Sequence, residues 1–380
     1  MSAGQIFFDF QWDTLLLEST LVAILMVPWT LGRARRDYDP PPLARFAVWW
    51  LLFRLMFLSG FVKLASGDPT WRHLTALTFH YQTQPLPTAF AWYANQLPLW
   101  FQKASCALMF AIELVAPLCI PGPRRLRHAA TLWLIFLQVV IAITGNYAFF
   151  NLVTIGLCLA CLDDDWWRSI HWGTGYGRAP DGSSRSLLVR AKPTLVRWFV
   201  ALYAGITFFL TASALWPGAR RSPILRVVET AVGPFESFNN YGLFAVMTVE
   251  RPELVIEGSD DGRDWQEYTL PYKPGDLGRR PRWAAPYQPR LDWQLWFAAL
   301  APPEANPWVG TLCERLLRND PAVLALFERN PFSGHAPHYV RVVRYRYEFT
   351  DFAERSRTRN WWRRTPLDFY IRPVELPTAQ

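Results

Sequence analysis

Long apolar runs, nearly all of them before Trp216, constrain this chain more than any other feature. Crossing the hydrocarbon core as an α-helix takes about 17–25 predominantly apolar residues. Stretches from Thr14 to Leu31, Phe46 to Val62, Ala104 to Ile120, Ala129 to Thr144, Tyr147 to Leu162 and Leu195 to Trp216 meet or approach that length. They predict a polytopic α-helical membrane protein with about six transmembrane helices. Only Gly145-Asn146 separates the fourth stretch from the fifth, so the two form a tight antiparallel hairpin or one is partly re-entrant. No basic stretch with a short apolar core and a small-residue cleavage site opens the chain, so insertion is expected to rely on the helices.

Basic residues near helix ends are retained on the cytoplasmic side. Arg33, Arg35, Arg36 and Arg45 join the first two helices, and Arg124, Arg125 and Arg127 the third and fourth. Arg168, Arg178, Arg185, Arg190, Lys192 and Arg197 join the fifth and sixth. The connection 63–103 carries only Lys63, Arg72 and Lys103, which puts it on the exterior face, lumenal or periplasmic, with the amino end and everything after Trp216. The expected organisation is a helical bundle over 1–216 with exterior loop 63–103, and a soluble exterior domain over 217–380. Phe7 to Trp12 begins almost at a membrane boundary, which predicts a further upstream helix in longer relatives.

Past Arg226 the apolar pattern shortens and alternates. Leu243–Val249, Leu254–Glu257, Trp265–Leu270 and His338–Phe349 read as strands, with Ser259-Asp-Asp-Gly262 as a hairpin turn. Leu291–Leu300, Trp308–Arg318 and Ala322–Arg329 read as helices, the last opening at Asp320-Pro321. The second half is therefore α+β, with a β-sandwich-like part.

The net charge of +8 does not imply nucleic acid, because Lys and Arg are scattered rather than interleaved with aromatics along a groove. Of five cysteines, Cys106, Cys119, Cys158 and Cys161 sit in apolar runs, which argues against a disulfide framework. Cys158 and Cys161 have C-x-x-C spacing, yet their apolar surroundings favour packing over redox chemistry.

Three groups of residues are candidates for function. The exterior loop Trp71–Pro87 gathers Trp71, Arg72, His73, His80, Tyr81, Gln82 and Gln84 just beyond the membrane. His73 and His80 are seven positions apart rather than at the i, i+4 spacing of paired ligands, so no metal site is assigned. Glu18, Arg54 and Glu113 lie in apolar segments and must face the bundle interior, water or one another. An Arg54–Glu113 pair is expected. Asn146, Asn151 and Asp163-Asp-Asp165 read as membrane-edge caps. In the second half no nucleophile elbow, phosphate loop or metal-ligand set appears, and no catalytic residue or cofactor is assigned. Instead, arginines and aromatics recur in Arg279-Arg-Pro-Arg-Trp283, Pro286–Trp293, Trp296-Phe297 and Trp361-Trp-Arg-Arg364, the residue types that dominate protein interfaces.

Several of these stretches resemble the lipase maturation factor family. They include Phe10-Gln-Trp-Asp13, Leu15-Leu-Leu-Glu18, Gly67-Asp-Pro-Thr-Trp-Arg72, Phe79-His-Tyr-Gln-Thr-Gln-Pro-Leu-Pro87, Thr144-Gly-Asn146 and Phe150-Asn151. Asn240-Tyr-Gly242, Tyr272-Lys-Pro-Gly-Asp276, Pro286-Tyr287, Arg290-Leu-Asp-Trp293, Trp296-Phe-Ala-Ala299, Asn330-Pro-Phe332 and Tyr345-Arg-Tyr347 continue the match in order. The resemblance implies a multi-pass protein of the endoplasmic reticulum, or of the inner membrane in a bacterium. Its lumenal or periplasmic carboxy-terminal domain would help dimeric lipases reach their active, assembled form.

Two functions from different classes follow. In the first, the chain is a non-enzymatic factor whose exterior domain binds a secretory, lipase-like client through Arg290, Asp292, Trp293, Trp296 and Phe297, with membrane lipids around the bundle. In the second, suggested by a distant similarity to DoxX and vitamin K carboxylase proteins, the chain is a membrane enzyme of redox or lipid/quinone chemistry, with His80, Arg54 and Glu113 lining a cavity at the outer membrane face that holds a lipid, a quinone or another small molecule. Both place the exterior loop and the second half on one side, so contact between them is expected.

Overall fold

The computed structural model describes residues 5–8, 10–27, 40–170, 193–216 and 222–376. Arg33, Arg35, Arg36, Arg178, Arg185, Arg190 and Lys192, used above for orientation, lie outside the described residues.

The membrane half comprises helices α1 (Gln11–Met26) and α2 (Pro42–Ala65), then three short helices, α3 (Pro69–Arg72), α4 (Leu77–Thr83) and α5 (Ala89–Asn95), in the exterior loop. It continues through α6 (Leu99–Leu114), α7 (Arg124–Thr144), α8 (Phe150–Leu159), α9 (Asp164–Ile170) and α10 (Pro193–Leu215). Prolines fix several starts: Pro42 is at the first position of α2, and Pro98 and Pro123 precede α6 and α7. Pro42–Ala65, Leu99–Cys119, Arg124–Thr144 and Thr194–Leu215 are long and apolar enough to cross a membrane. Their outward faces carry exposed Trp133, Phe136, Trp198, Phe208 and Phe209, as lipid-facing helices do.

The sequence leads to about six spans, and among the described residues four helices reach full length. α1 has 16 residues, and Pro28–Leu31 of the expected first span lie outside the described residues. α8 has 10 residues, or about 15 Å of helix against a hydrocarbon core of about 30 Å. It is short because Tyr147–Phe149, expected within it, stay outside the helix, with Ala148 at a φ of +50° and the Tyr147 hydroxyl donating to Gln84 of the exterior loop.

The second half begins with α11 (Pro223–Val232) and builds one antiparallel sheet. Its strands are β1 (Pro252–Ser259), β2 (Gln266–Tyr268), β3 (Tyr339–Phe349) and β4 (Trp362–Val374), in the order β2-β1-β3-β4. Gly262, with φ of +71°, and the Asp261 carboxylate, accepting from the amides of Arg263 and Asp264, form the turn after β1. Helices α12 (Arg290–Ala299), α13 (Pro307–Leu317), α14 (Pro321–Leu324) and α15 (Phe352–Thr358) complete the domain. Asp320 caps α14 through the amide of Ala322 at 3.0 Å. The helix expected to reach Arg329 ends early because Glu328 and Arg329 pair with the backbone of Thr269.

Alternation along the strands gives the sheet two apolar faces. Leu254, Ile256, Val340 and Val342 pack on α12 and α13. On the other face Val255, Tyr347, Phe349 and Trp362 pack on Trp71, Leu77, Tyr81 and Trp92 of the exterior loop, with Cys106 and Phe110 of α6. The expected sandwich-like part is thus corrected. Among the described residues there is one sheet, and the layer facing it is the exterior loop. Leu243–Val249 forms no strand, because it drapes over that loop, where the Met247 amide donates to Asp68 at 2.6 Å.

Candidate functional site

The exterior loop and the sheet meet in a polar joint framed by the aromatic layer. Asp68 starts the loop by accepting from the Thr70 amide at 2.7 Å, and Trp71 Nε1 donates to the Phe244 carbonyl at 3.0 Å. Arg72 and His73 remain exposed, whereas Tyr81 and Gln84 are buried. His73 and His80 therefore do not converge. Among the described residues no group of three or more His, Cys, Asp or Glu could hold a metal.

Arg251, fully buried just before β1, is the centre of the joint. Its guanidinium donates to the carbonyls of Gln82 (2.7 Å), Gln84 and Pro85 (2.6 Å), the chain leaving α4. The same group pairs with Glu253 at 2.6 Å, and Glu253 pairs with Lys273 at 2.7 Å. Burial pushes the Arg251 pKa down, and Glu253 counters by favouring the charged form. These three carbonyls end a short helix, where orphan acceptors need donors. Arg251 supplies them from the other half of the chain.

Asn146 makes a second tie. Its side-chain oxygen accepts from the amides of Ala284 (2.6 Å) and Ala285 (3.0 Å), and its nitrogen donates to the carbonyls of Leu86 and Arg282, both at 3.0 Å. It is a joint residue rather than only a membrane-edge cap. Gly145 beside it has no room for a side chain: a Cβ there would lie 2.1 Å from Gln84 Oε1 and 2.5 Å from the Tyr147 ring. Gly145→Ala is expected to lose about 1–3 kcal/mol by overpacking, read as a lower unfolding midpoint of the purified protein.

The intramembrane charges pair differently from expectation. Arg54 pairs with Glu18 at 2.7 Å, not with Glu113, whose partner is Lys63, also at 2.7 Å. Arg54 and Lys63 are nine residues apart on α2, so at about 100° per residue they lie on opposite faces. Arg54 meets α1 and α10, whereas Lys63 meets α6. Glu18 also accepts from the hydroxyls of Tyr203 (2.8 Å) and Tyr241 (2.7 Å) and from the Asn239 amide (3.2 Å). All the members of this network are internally satisfied, as intramembrane charges must be. The Asp163 carboxylate lies at the far end of α7, pairing with Arg124 at 2.6 Å and accepting from the Trp166 amide. Cys158 and Cys161 are free, buried thiols.

Most of the set expected to bind a client is buried and serves the joint. Arg290 forms a bidentate pair with Asp13 of α1 at 2.9 and 3.0 Å. Burial pushes the Asp292 pKa up, and the amides of Tyr272 and Lys273, which donate to its carboxylate, offset only part of that rise. Trp293 packs edge-on against Trp12, and Trp296 Nε1 donates to the Thr83 carbonyl at 3.0 Å. Phe297 alone of the five is largely exposed, at 42%. The same residue types that favour a partner surface also favour burial, and here α12 spends them on α1 and α4.

Arg251, Glu253, Lys273 and Lys63 escaped the sequence reading. A signal existed in Arg251-Pro-Glu253, two charges opening an apolar strand, since buried charges require partners. Lys63 looked like a loop residue because the apolar run ends at Val62.

Two family models match the chain in order: "Lipase maturation factor transmembrane domain" over residues 1–169 and "Lipase maturation factor C-terminal domain" over residues 237–372. Lipase maturation factor 2 of Homo sapiens is 36% identical, over 99% of this chain and 68% of that protein. The Gallus gallus protein of that name is 36% identical over 98% of this chain and 66% of its own length. Lipase maturation factor 1 of Bos taurus is 34% identical, over 98% of this chain and 69% of that protein. The chain thus spans about two thirds of the length of these relatives. No solved structure matches it. With both models matched in order and such identity along nearly its whole length, the chain belongs to the lipase maturation factor family.

Proposed function

We propose that this protein is a membrane-anchored maturation factor that assists the folding and assembly of a secreted, lipase-like client on the lumenal or periplasmic side. The observation that carries this reading is the ordered match of both halves to relatives that bear the maturation-factor name. The membrane enzyme alternative draws no support from those relatives. In this reading α1 and the shorter α8 complete six crossings, so that the amino end, the exterior loop and the sheet share one face. Their contacts through Arg251, Asn146 and Trp296 support the shared side, as does the collection of Arg124, Arg125 and Arg127 at the start of α7. The membrane is that of the endoplasmic reticulum in a eukaryotic host and the inner membrane in a bacterial one. Phe297 is the member of the α12 set left for a client; the buried members position it.

Co-expression with a secreted lipase in cells lacking a factor of their own tests this. The full chain is expected to raise lipase specific activity, and a chain ending at Trp216 to insert in the membrane without doing so. A truncated chain that still matures the lipase refutes the proposal.

A further inference from the structure

Between α2, α6 and α7, under α4, lies a cavity of about 400 Å³. That is within the roughly 300–1,000 Å³ of small-molecule sites. Most of its wall is apolar, including Leu55, Met56, Met109 and Ile141. Leu97, Phe101 and Leu108 near and along α6 and Phe136 on α7 line it and remain exposed. Because α6 and α7 are long apolar helices, this opening between them faces hydrocarbon.

The polar groups gather where α2 ends beneath α4. Lys63 Nζ donates to both oxygens of Glu113, at 2.8 and 2.7 Å, so the pair carries no net charge. An ammonium has three donors, and among the described residues Nζ, which lies over the Trp71 ring 5.5 Å from its centroid, has no hydrogen-bond acceptor besides the two oxygens of Glu113.

His80 supplies the complementary group, and its tautomer follows from its neighbours. Gln84 Nε2 donates to the carbonyls of Tyr81 (3.3 Å) and Thr144 (3.0 Å), which fixes Gln84 Oε1 as an acceptor. The Tyr147 hydroxyl donates its proton to that oxygen at 2.8 Å. His80 Nε2, 3.3 Å from the Tyr147 oxygen, must therefore carry the ring hydrogen and donate it there. Burial, with Lys63 nearby, pushes the His80 pKa down to about 4, so the ring is neutral. Its Nδ1 is then an acceptor, and it is buried without a partner.

An apolar channel open to lipid, one spare N–H donor, one bare acceptor and no net charge describe the binding requirements of a neutral amphiphile. The volume suits one tail. We propose that this cavity binds a single monoacylglycerol-type lipid, its tail entering between α6 and α7 and its ester and hydroxyl groups meeting Lys63 and His80. The proposal stands apart from the maturation reading, although Leu243 and Phe244 of the second half also line the cavity.

Native mass spectrometry of the purified full chain, titrated with mono-oleoylglycerol, oleate or lysophosphatidylcholine, tests it. The expected result is one mono-oleoylglycerol per chain, bound at least about tenfold more tightly than oleate or lysophosphatidylcholine, since an anionic carboxylate and a zwitterionic phosphocholine both bring full charges whose desolvation one donor and one neutral acceptor do not offset. His80→Phe, which keeps the ring shape, is expected to lose most of that preference, and Ser105→Phe on the cavity wall to weaken all three lipids. Equal binding of the three lipids to the unaltered chain, or no stoichiometric binding, overturns the proposal even if a variant fails to fold. A folded His80→Phe with the preference intact overturns it too.

Discussion

Replacing Arg251 by Met is expected to destabilise the intact protein by about 3–5 kcal/mol, the usual cost of removing one partner from a buried ion pair. The loss has two parts. Glu253 is left buried with Lys273 as its remaining partner, and the carbonyls of Gln82, Gln84 and Pro85 lose their donor. Equilibrium unfolding in detergent, followed by tryptophan fluorescence, reads the change. Replacing Arg251, Glu253 and Lys273 together by Met, Leu and Met removes the orphaned charges but not the orphaned carbonyls, so recovery is expected to be partial. Full recovery would mean that the grip on α4 contributes nothing.

The second large effect lies within the bundle. Glu18→Leu leaves the Arg54 guanidinium buried at 0% exposure and strips an acceptor from Tyr203, Tyr241 and Asn239. A loss of about 3–5 kcal/mol is expected. Adding Arg54→Met is expected to recover part of it, because the double change no longer buries an unpaired charge. A double-mutant cycle on the unfolding free energies checks this. Strictly additive single effects would show that the two side chains do not depend on each other.

What could be read from the sequence follows from how each force is encoded. α2, α7 and α10 were legible because a membrane span must satisfy its backbone internally and cover itself with apolar residues. β1 and β3 were legible from alternation, with one face buried on α12 and α13 and the other on the exterior loop. β4 was not: as an edge strand it leaves Leu367 and Phe369 exposed and holds Pro366 at an irregular register, so its pattern does not alternate cleanly. The contact between the exterior loop and the second half was foreseen from sidedness, but its chemistry was not. Pairing among Arg54, Glu18, Lys63 and Glu113 depends on which face of α2 each neighbour occupies, and hydropathy carries no such information. The α12 aromatics illustrate the same limit, since Trp293 and Trp296 would look identical in sequence whether they met a client or Trp12 and Thr83.

If one joint orders both the exterior loop and the sheet, hydrogen exchange resolved by mass spectrometry should register the loss of Arg251 on both sides of it. In Arg251→Met, amides of 77–87 and of β1 are expected to lose protection together, while α2 and α7 exchange as in the unaltered protein. Protection of 77–87 that survives the substitution unchanged would contradict the claim that the second half of the chain holds the exterior loop in place.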